Sequence, residues 1–200
     1  MSLWDQRYRE HDFAYGREAN DFLQQQAGLI PPGAVLCLAE GDGRNAVFLA
    51  KQGYAVHAVD LSTVGLEKSR QYAQRENTRI STEVADLAHY SLAPSTWEGI
   101  VSIFAHLPGQ VRKALHLQVV QALKPGGVFI LEAFTLRQLE MKGTGGPGAE
   151  RPDFFMSLQA LREELPGLDF IHARELDREI SEGPLHQGLC AVVQLIARKP

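Results

Sequence analysis

Ala34-Val35-Leu36-Cys37-Leu38-Ala39-Glu40-Gly41-Asp42-Gly43-Arg44-Asn45-Ala46 carries the reading of the fold. Its first six residues are apolar and lie between Pro31-Pro32-Gly33 and Gly41, which predicts a strand buried on both faces. Ala46, Leu49 and Ala50 then share one side of a helix over residues 44–52, closed by Gly53. A strand that turns through glycines into a helix leaves backbone N–H groups free at the turn, and glycine lets a ligand approach them closely.

The same rhythm continues outward. Residues 55–59 form a second apolar run ending at Asp60, and Ser62 is placed to cap a helix reaching about residue 76. Residues 79–85, with alternating Ile80, Thr82 and Val84, predict a third strand ending at Asp86. Residues 99–104 predict a fourth. Pro108 opens a helix marked by Val111, Leu115, Val119 and Leu123, and Lys124-Pro125-Gly126-Gly127 breaks it before a fifth strand over 128–134. A helix over 157–165 follows, then strand-like stretches 169–179 and 189–198 joined through Glu182-Gly183-Pro184. The gap between them is too short for a crossover helix, so they pair as an antiparallel hairpin. The expected class is α/β: a Rossmann-like, doubly wound, seven-stranded sheet of five parallel strands plus a C-terminal antiparallel hairpin.

At 200 residues the chain reads as a single domain, against a soft prior of about 150 per domain. A net charge of −4 offers no basic footprint, which disfavours nucleic acid and anionic membrane as partners. No run approaches the ~20 apolar residues of a membrane span, and Met1 to Tyr8 lacks the apolar core of a leader, so a cytoplasmic protein is expected. Cys37 and Cys190 read as buried, reduced thiols. The seven histidines show no metal-ligand spacing, so no metal is expected. There is no G-x-S-x-G elbow and no P-loop. Lys142 to Ala149 holds four glycines and a proline, which makes residues 137–156 a mobile loop on the ligand edge of the sheet, read as a lid over the alternative of a loose connection.

Gly41-x-Gly43-x-x-Ala46 satisfies the dinucleotide fingerprint, and charge separates the cofactors it could serve. A pyrophosphate would meet Glu40 and Asp42 with repulsion, whereas S-adenosylmethionine (SAM) brings a sulfonium and an ammonium. One such pair at ~4 Å and an effective dielectric near 20 is worth about 4 kcal/mol. Asp60 can accept from both ribose hydroxyls. Asp86 can accept from an adenine amino group, with Leu87 packed on the ring; for both, a plain turn aspartate is the competing reading.

Glu40-Gly41-Asp42-Gly43-Arg44-Asn45, Val59-Asp60-Leu61-Ser62, Ala85-Asp86-Leu87, Leu123-Lys124-Pro125-Gly126-Gly127 and the closing hairpin resemble the class I SAM-dependent methyltransferases. Gly43 to Ala50, Gly145-Gly146-Pro147 and Leu185-His186 resemble the tellurite-resistance branch of that family, and Trp4-Asp5-x-Arg7-Tyr8 with Tyr15-Gly16 is similar to its N-terminal cap over the cofactor. The resemblance implies strand order 3-2-1-4-5-7-6 and a helical cap over residues 1–29. It implies SAM as cofactor, S-adenosylhomocysteine as product, and a cofactor site of Tyr15, Glu40, Gly41, Gly43, Asn45, Asp60, Leu61, Asp86, Leu87, Phe104 and Ala105. Cys37 stands at the family's usual acidic position and Ala39 at its first glycine, so Glu40 is expected to supply the carboxylate from the turn.

Methyl transfer from a sulfonium needs chiefly alignment and exclusion of water, and a base only where the acceptor must lose a proton. His106, His186 and Tyr90 are the candidates for positioning or base duty. His186 matches a hairpin histidine of the tellurite-resistance branch, while Gln187 stands where an arginine is typical. The expected acceptor is a small soluble molecule, a thiol or a selenium or tellurium oxyanion, and the expected assembly a monomer or homodimer. Two competing readings are an NAD(P)-binding oxidoreductase, for which no Tyr-x-x-x-Lys pair is present, and a SAM-binding protein without turnover.

Overall fold

The computed structural model describes residues 2–200. Helices α1 (Leu3–Glu10) and α2 (Asp21–Gln26) precede strand β1 (Ala34–Leu38). Then follow α3 (Arg44–Lys51), β2 (Ala55–Asp60), α4 (Thr63–Arg75), β3 (Ser81–Val84), β4 (Trp97–Ile103), α5 (Gly109–Ala122) and β5 (Leu123–Phe134). Helix α6 (Leu158–Glu164) and strands β6 (Asp169–Glu182) and β7 (His186–Arg198) end the chain. The sheet order is β3-β2-β1-β4-β5-β7-β6, with β1 to β5 parallel and β7 antiparallel to both β5 and β6. The expected class and order are both observed.

The unbroken apolar run of β1 is explained by burial on both faces. Val35 and Cys37 pack with Ala46 and Leu49 of α3 and Leu66 of α4, while Leu36 and Leu38 pack with Leu115 and Val119 of α5. Each such side chain taken out of water contributes about 1.5–3 kcal/mol. The sheet therefore presents its carboxyl ends as one rigid edge, the place where ligands meet open α/β sheets.

The hairpin is longer than its apolar pattern. The ladder runs to Glu182↔His186 and closes over Gly183-Pro184-Leu185, because backbone bonds carry Ser181 and Gln187 without any apolar signal. At the other edge β3 is shorter than 79–85, since β2 pairs with it only from His57↔Ser81 onward. Leu123 already pairs with Trp97, and the register shifts before Gly99↔Val128, so Lys124 to Gly127 is an irregularity within β5. In the stretch 137–156, Gly143 N donates to Leu189 O (3.1 Å) and Thr144 N to Gln187 O (2.7 Å), which lays the loop along the start of β7.

Candidate active site

The turn after β1 takes its shape from three left-handed residues, Ala39 (φ 50°), Gly41 (φ 69°) and Gly43 (φ 98°). Ala39 thus holds a conformation that glycine adopts freely, at a strain of roughly 1–2 kcal/mol. A second strained residue, Phe104 (φ 54°), ends β4 on the same edge. Gly41 is crossed by the cap: a Cβ there would collide with the hydroxyl of Tyr8, which α1 drives between Gly41 and Gly65. Gly43, the residue capping α3, packs on Ser69 of α4.

The acidic groups of the turn are held by backbone N–H groups. Glu40 Oε1 accepts from the N–H groups of Asn45 (3.0 Å) and Ala46 (2.8 Å). It closes the amino end of α3 beside Cys37. Burial raises its pKa to about 7, against the lowering effect of those two N–H groups. Asp42 Oδ2 accepts from Ala14 N (3.1 Å), and burial lifts its pKa to about 6 despite nearby Arg44. Asn45 Oδ1 accepts from Asn20 N (3.0 Å), so Asn45 ties the cap to α3. Asp60 sits at the strand end as expected, buried, its oxygens taking Gly41 N (2.9 Å) and Ser62 N (2.7 Å), and burial raises its pKa.

Two more expectations are corrected by packing. Leu87 belongs to the core with Leu36 and Val59, so Leu61, 46% exposed after Asp60, is the apolar surface free to meet an adenine ring. Asp86 is half-exposed and accepts from Ala88 N (2.9 Å) as a turn aspartate, with lone pairs still open to solvent. Tyr90 is not brought to this edge. It lines a surface hollow with Ala34, His57 and Trp97, at the amino ends of the strands, and its hydroxyl reaches only Glu83 (3.4 Å).

His106 is held on both sides by backbone. Its Nδ1 lies 2.9 Å from Phe154 O and its Nε2 accepts from Phe134 N (3.2 Å), which fixes the proton on Nδ1. Burial lowers its pKa to about 4. With both nitrogens engaged and no free lone pair, His106 clamps the end of β5 to the loop and does not serve as a base.

His186 is different. It is buried, its Nδ1 has no hydrogen-bond partner, and rings of Tyr15 (4.5 Å), Phe104 (4.7 Å) and Phe134 (5.2 Å) surround it. Burial, reinforced by Arg44, lowers its pKa far below the ordinary histidine value, so it is neutral. The loop closes the fourth side: a Cβ on Gly145 (φ 124°) would lie 2.7 Å from His186 Cδ2 and 2.8 Å from Phe134 Cζ. Ala105, the residue after Phe104, is buried. Arg7 Nη1 donates to the Tyr15 hydroxyl (2.7 Å) at the mouth of this aromatic box. Phe134 and Tyr8 were absent from the expected site; their only signal was position, at a strand end and within the cap motif.

These residues fit SAM on two observations. The turn buries three carboxylates, Glu40, Asp42 and Asp60, whose pKa values burial raises, and a cation bound beside them would offset that cost. The unpartnered Nδ1 of His186 and its aromatic walls mark an uncharged, polarisable surface on the neighbouring strand ends. Among the described residues no grouping of His, Cys, Asp or Glu could hold a metal, and no helix is long and apolar enough to cross a membrane.

Residues 35–127 match the family model of a methyltransferase domain. A comparison with curated proteins finds no match. Among solved structures, one described by the conversion of a disulfide bond into a thioacetal group during echinomycin biosynthesis aligns with a TM-score of 0.75 and 21% identity, over 98% of this chain and 90% of that one. TehB from Haemophilus influenzae aligns at 0.73 and 21% identity over 91% of this chain, which spans 63% of TehB. Magnesium protoporphyrin IX methyltransferase from Synechocystis PCC 6803, with bound S-adenosylhomocysteine, aligns at 0.65 and 16% identity, over 90% and 79%. These likenesses establish a shared fold, that of the class I SAM-dependent methyltransferases.

Proposed function

We propose that this chain, whose residues 35–127 carry a methyltransferase domain on the class I fold, transfers a methyl group from SAM to a small soluble acceptor, a thiol or a selenium or tellurium oxyanion. The observation that carries the cofactor reading is the buried acidity of the turn. The carboxylates of Asp42 and Asp60, buried with their oxygens on backbone N–H groups, favour a sulfonium and an ammonium there and oppose the pyrophosphate of a nicotinamide dinucleotide.

SAM supplies an activated methyl group, so the residues need only bind, align and exclude water. Leu61 and Asp86 suit the adenine side and Asp60 the ribose, while Tyr8, Tyr15 and the rest of the cap cover the turn. Phe104, Phe134 and His186 wall the acceptor side, with the loop over 137–156 as its lid. At neutral pH neither His106 nor His186 takes up a proton, His106 because its nitrogens are engaged and His186 because burial holds it neutral. A site without a base suits an acceptor that arrives deprotonated, as thiolates and the oxyanions do.

Thermal unfolding with SAM, S-adenosylhomocysteine, NAD and NADPH at equal concentration tests the cofactor. A ligand at 100 times its Kd adds about 2.7 kcal/mol, a shift of several degrees at this size. Stabilisation by the two SAM species alone supports the reading. Stabilisation by NAD or NADPH alone refutes it.

A further inference from the structure

Arg44 carries its side chain out of the glycine turn to two distant segments at once. It opens α3, where aligned peptide dipoles already place positive charge, so a cation there opposes helix stability by about 0.3–1 kcal/mol. It is nevertheless buried. Glu40 and Asp42 of the turn lie near enough to act on its charge, yet its planar fork reaches past them to two distant segments.

One nitrogen, Nη1, donates to the carbonyl of Tyr15 (2.7 Å). The other, Nη2, lies 2.7 Å from Glu182 Oε2, an ion pair whose angles fall outside hydrogen-bond geometry. Glu182 is itself fixed, its Oε1 accepting from Asn20 Nδ2 (3.0 Å) and Arg178 Nη2 (2.9 Å). It is also the residue directly opposite His186 across the hairpin. The guanidinium thus grips the chain behind the Tyr15 ring with one arm and the strand partner of His186 with the other, and those two rings meet at 4.5 Å.

We infer that Arg44 is a positioning residue: by joining Tyr15 to Glu182, its guanidinium sets the Tyr15 ring against the His186 imidazole. The inference rests on His186 as the acceptor-side wall proposed above. A lysine, with one nitrogen on a flexible stem, cannot make both contacts.

The test is NMR of the histidine rings in the ligand-free protein, with the His186 signals assigned by their loss in His186→Gln. In the parent these signals carry ring-current shifts from Tyr15, Phe104 and Phe134. Arg44→Lys cuts one arm and Glu182→Gln removes the charge that holds the other, and both are expected to displace the His186 signals while those of His116, packed against Phe129 and Glu164 on the far face, stay in place. Unchanged His186 signals in either folded variant, even with a lowered Tm, would overturn the inference and leave Arg44 a plain structural ion pair. Should Arg44→Lys fail to fold, Glu182→Gln alone decides. Because no ligand enters this readout, it fails separately from the SAM reading, which titration of the parent with S-adenosylhomocysteine decides.

Discussion

Replacing Glu40 by glutamine should make the protein more stable above neutral pH, although Glu40 caps a helix. Glutamine keeps an oxygen to accept from Asn45 N and Ala46 N and removes only the charge. Burial raises the Glu40 pKa from 4.5 to about 7, so the native state holds a proton that the unfolded chain gives up between those values. The native state then binds more protons than the unfolded one, and stability falls as pH rises through that window. A shift of this size corresponds to about 3 kcal/mol in full, most of it lost between pH 5 and pH 8. Parent and Glu40→Gln should therefore unfold at similar urea concentrations at pH 5. At pH 8 the variant should be about 2–3 kcal/mol more stable, a midpoint higher by about 1 M at an m-value near 2 kcal/mol/M. Taking the difference between the two proteins cancels the histidines and the other carboxylates. A variant less stable than the parent at pH 8 would refute the reasoning, because it would mean that α3 gains more from the carboxylate's charge than burial costs.

Other perturbations separate structural from functional residues. His106→Ala should lower stability by about 1–3 kcal/mol for each of the two backbone groups it leaves unpaired, measured by urea unfolding; an undiminished stability would contradict the clamp. Ala39→Gly should raise Tm by a few degrees, since the relief of roughly 1–2 kcal/mol of strain exceeds the 0.4–1 kcal/mol lost to a freer unfolded chain. A lower Tm would show that Ala39 is not strained. Asp42→Asn should weaken SAM more than S-adenosylhomocysteine, by a factor on the order of ten in the ratio of Kd values, because only SAM carries the sulfonium charge. Equal weakening in calorimetric titrations would remove the charge argument.

Much of the fold is legible in the chain because its signals are local. The apolar run of β1, the alternation in β3 and the short gap before β7 each depend on neighbours in sequence. The site divides along the same line. Gly41, Gly43, Asp60 and Phe104 stand where a strand-then-turn pattern puts them. The directions of side chains do not follow from that pattern. His106 looks like a candidate base until Phe154, 48 positions away, takes its Nδ1. Asn20 meets Glu182 across 162 positions, and no spacing rule reveals it. Leu87 and Leu61 are equally plausible partners for an adenine ring until core packing takes the first. The dual role of Arg44 is invisible for the same reason: both of its partners come from segments that only the folded chain brings together.

The central claim is tested most directly by supplying SAM to the purified protein with hydrosulfide, 2-mercaptoethanol, selenite and tellurite in turn, and measuring S-adenosylhomocysteine together with the methylated product. The account predicts that both appear in equal amounts with at least one of these acceptors. Tight binding of SAM and S-adenosylhomocysteine with no product from any of them would contradict it and leave a cofactor-binding protein without turnover.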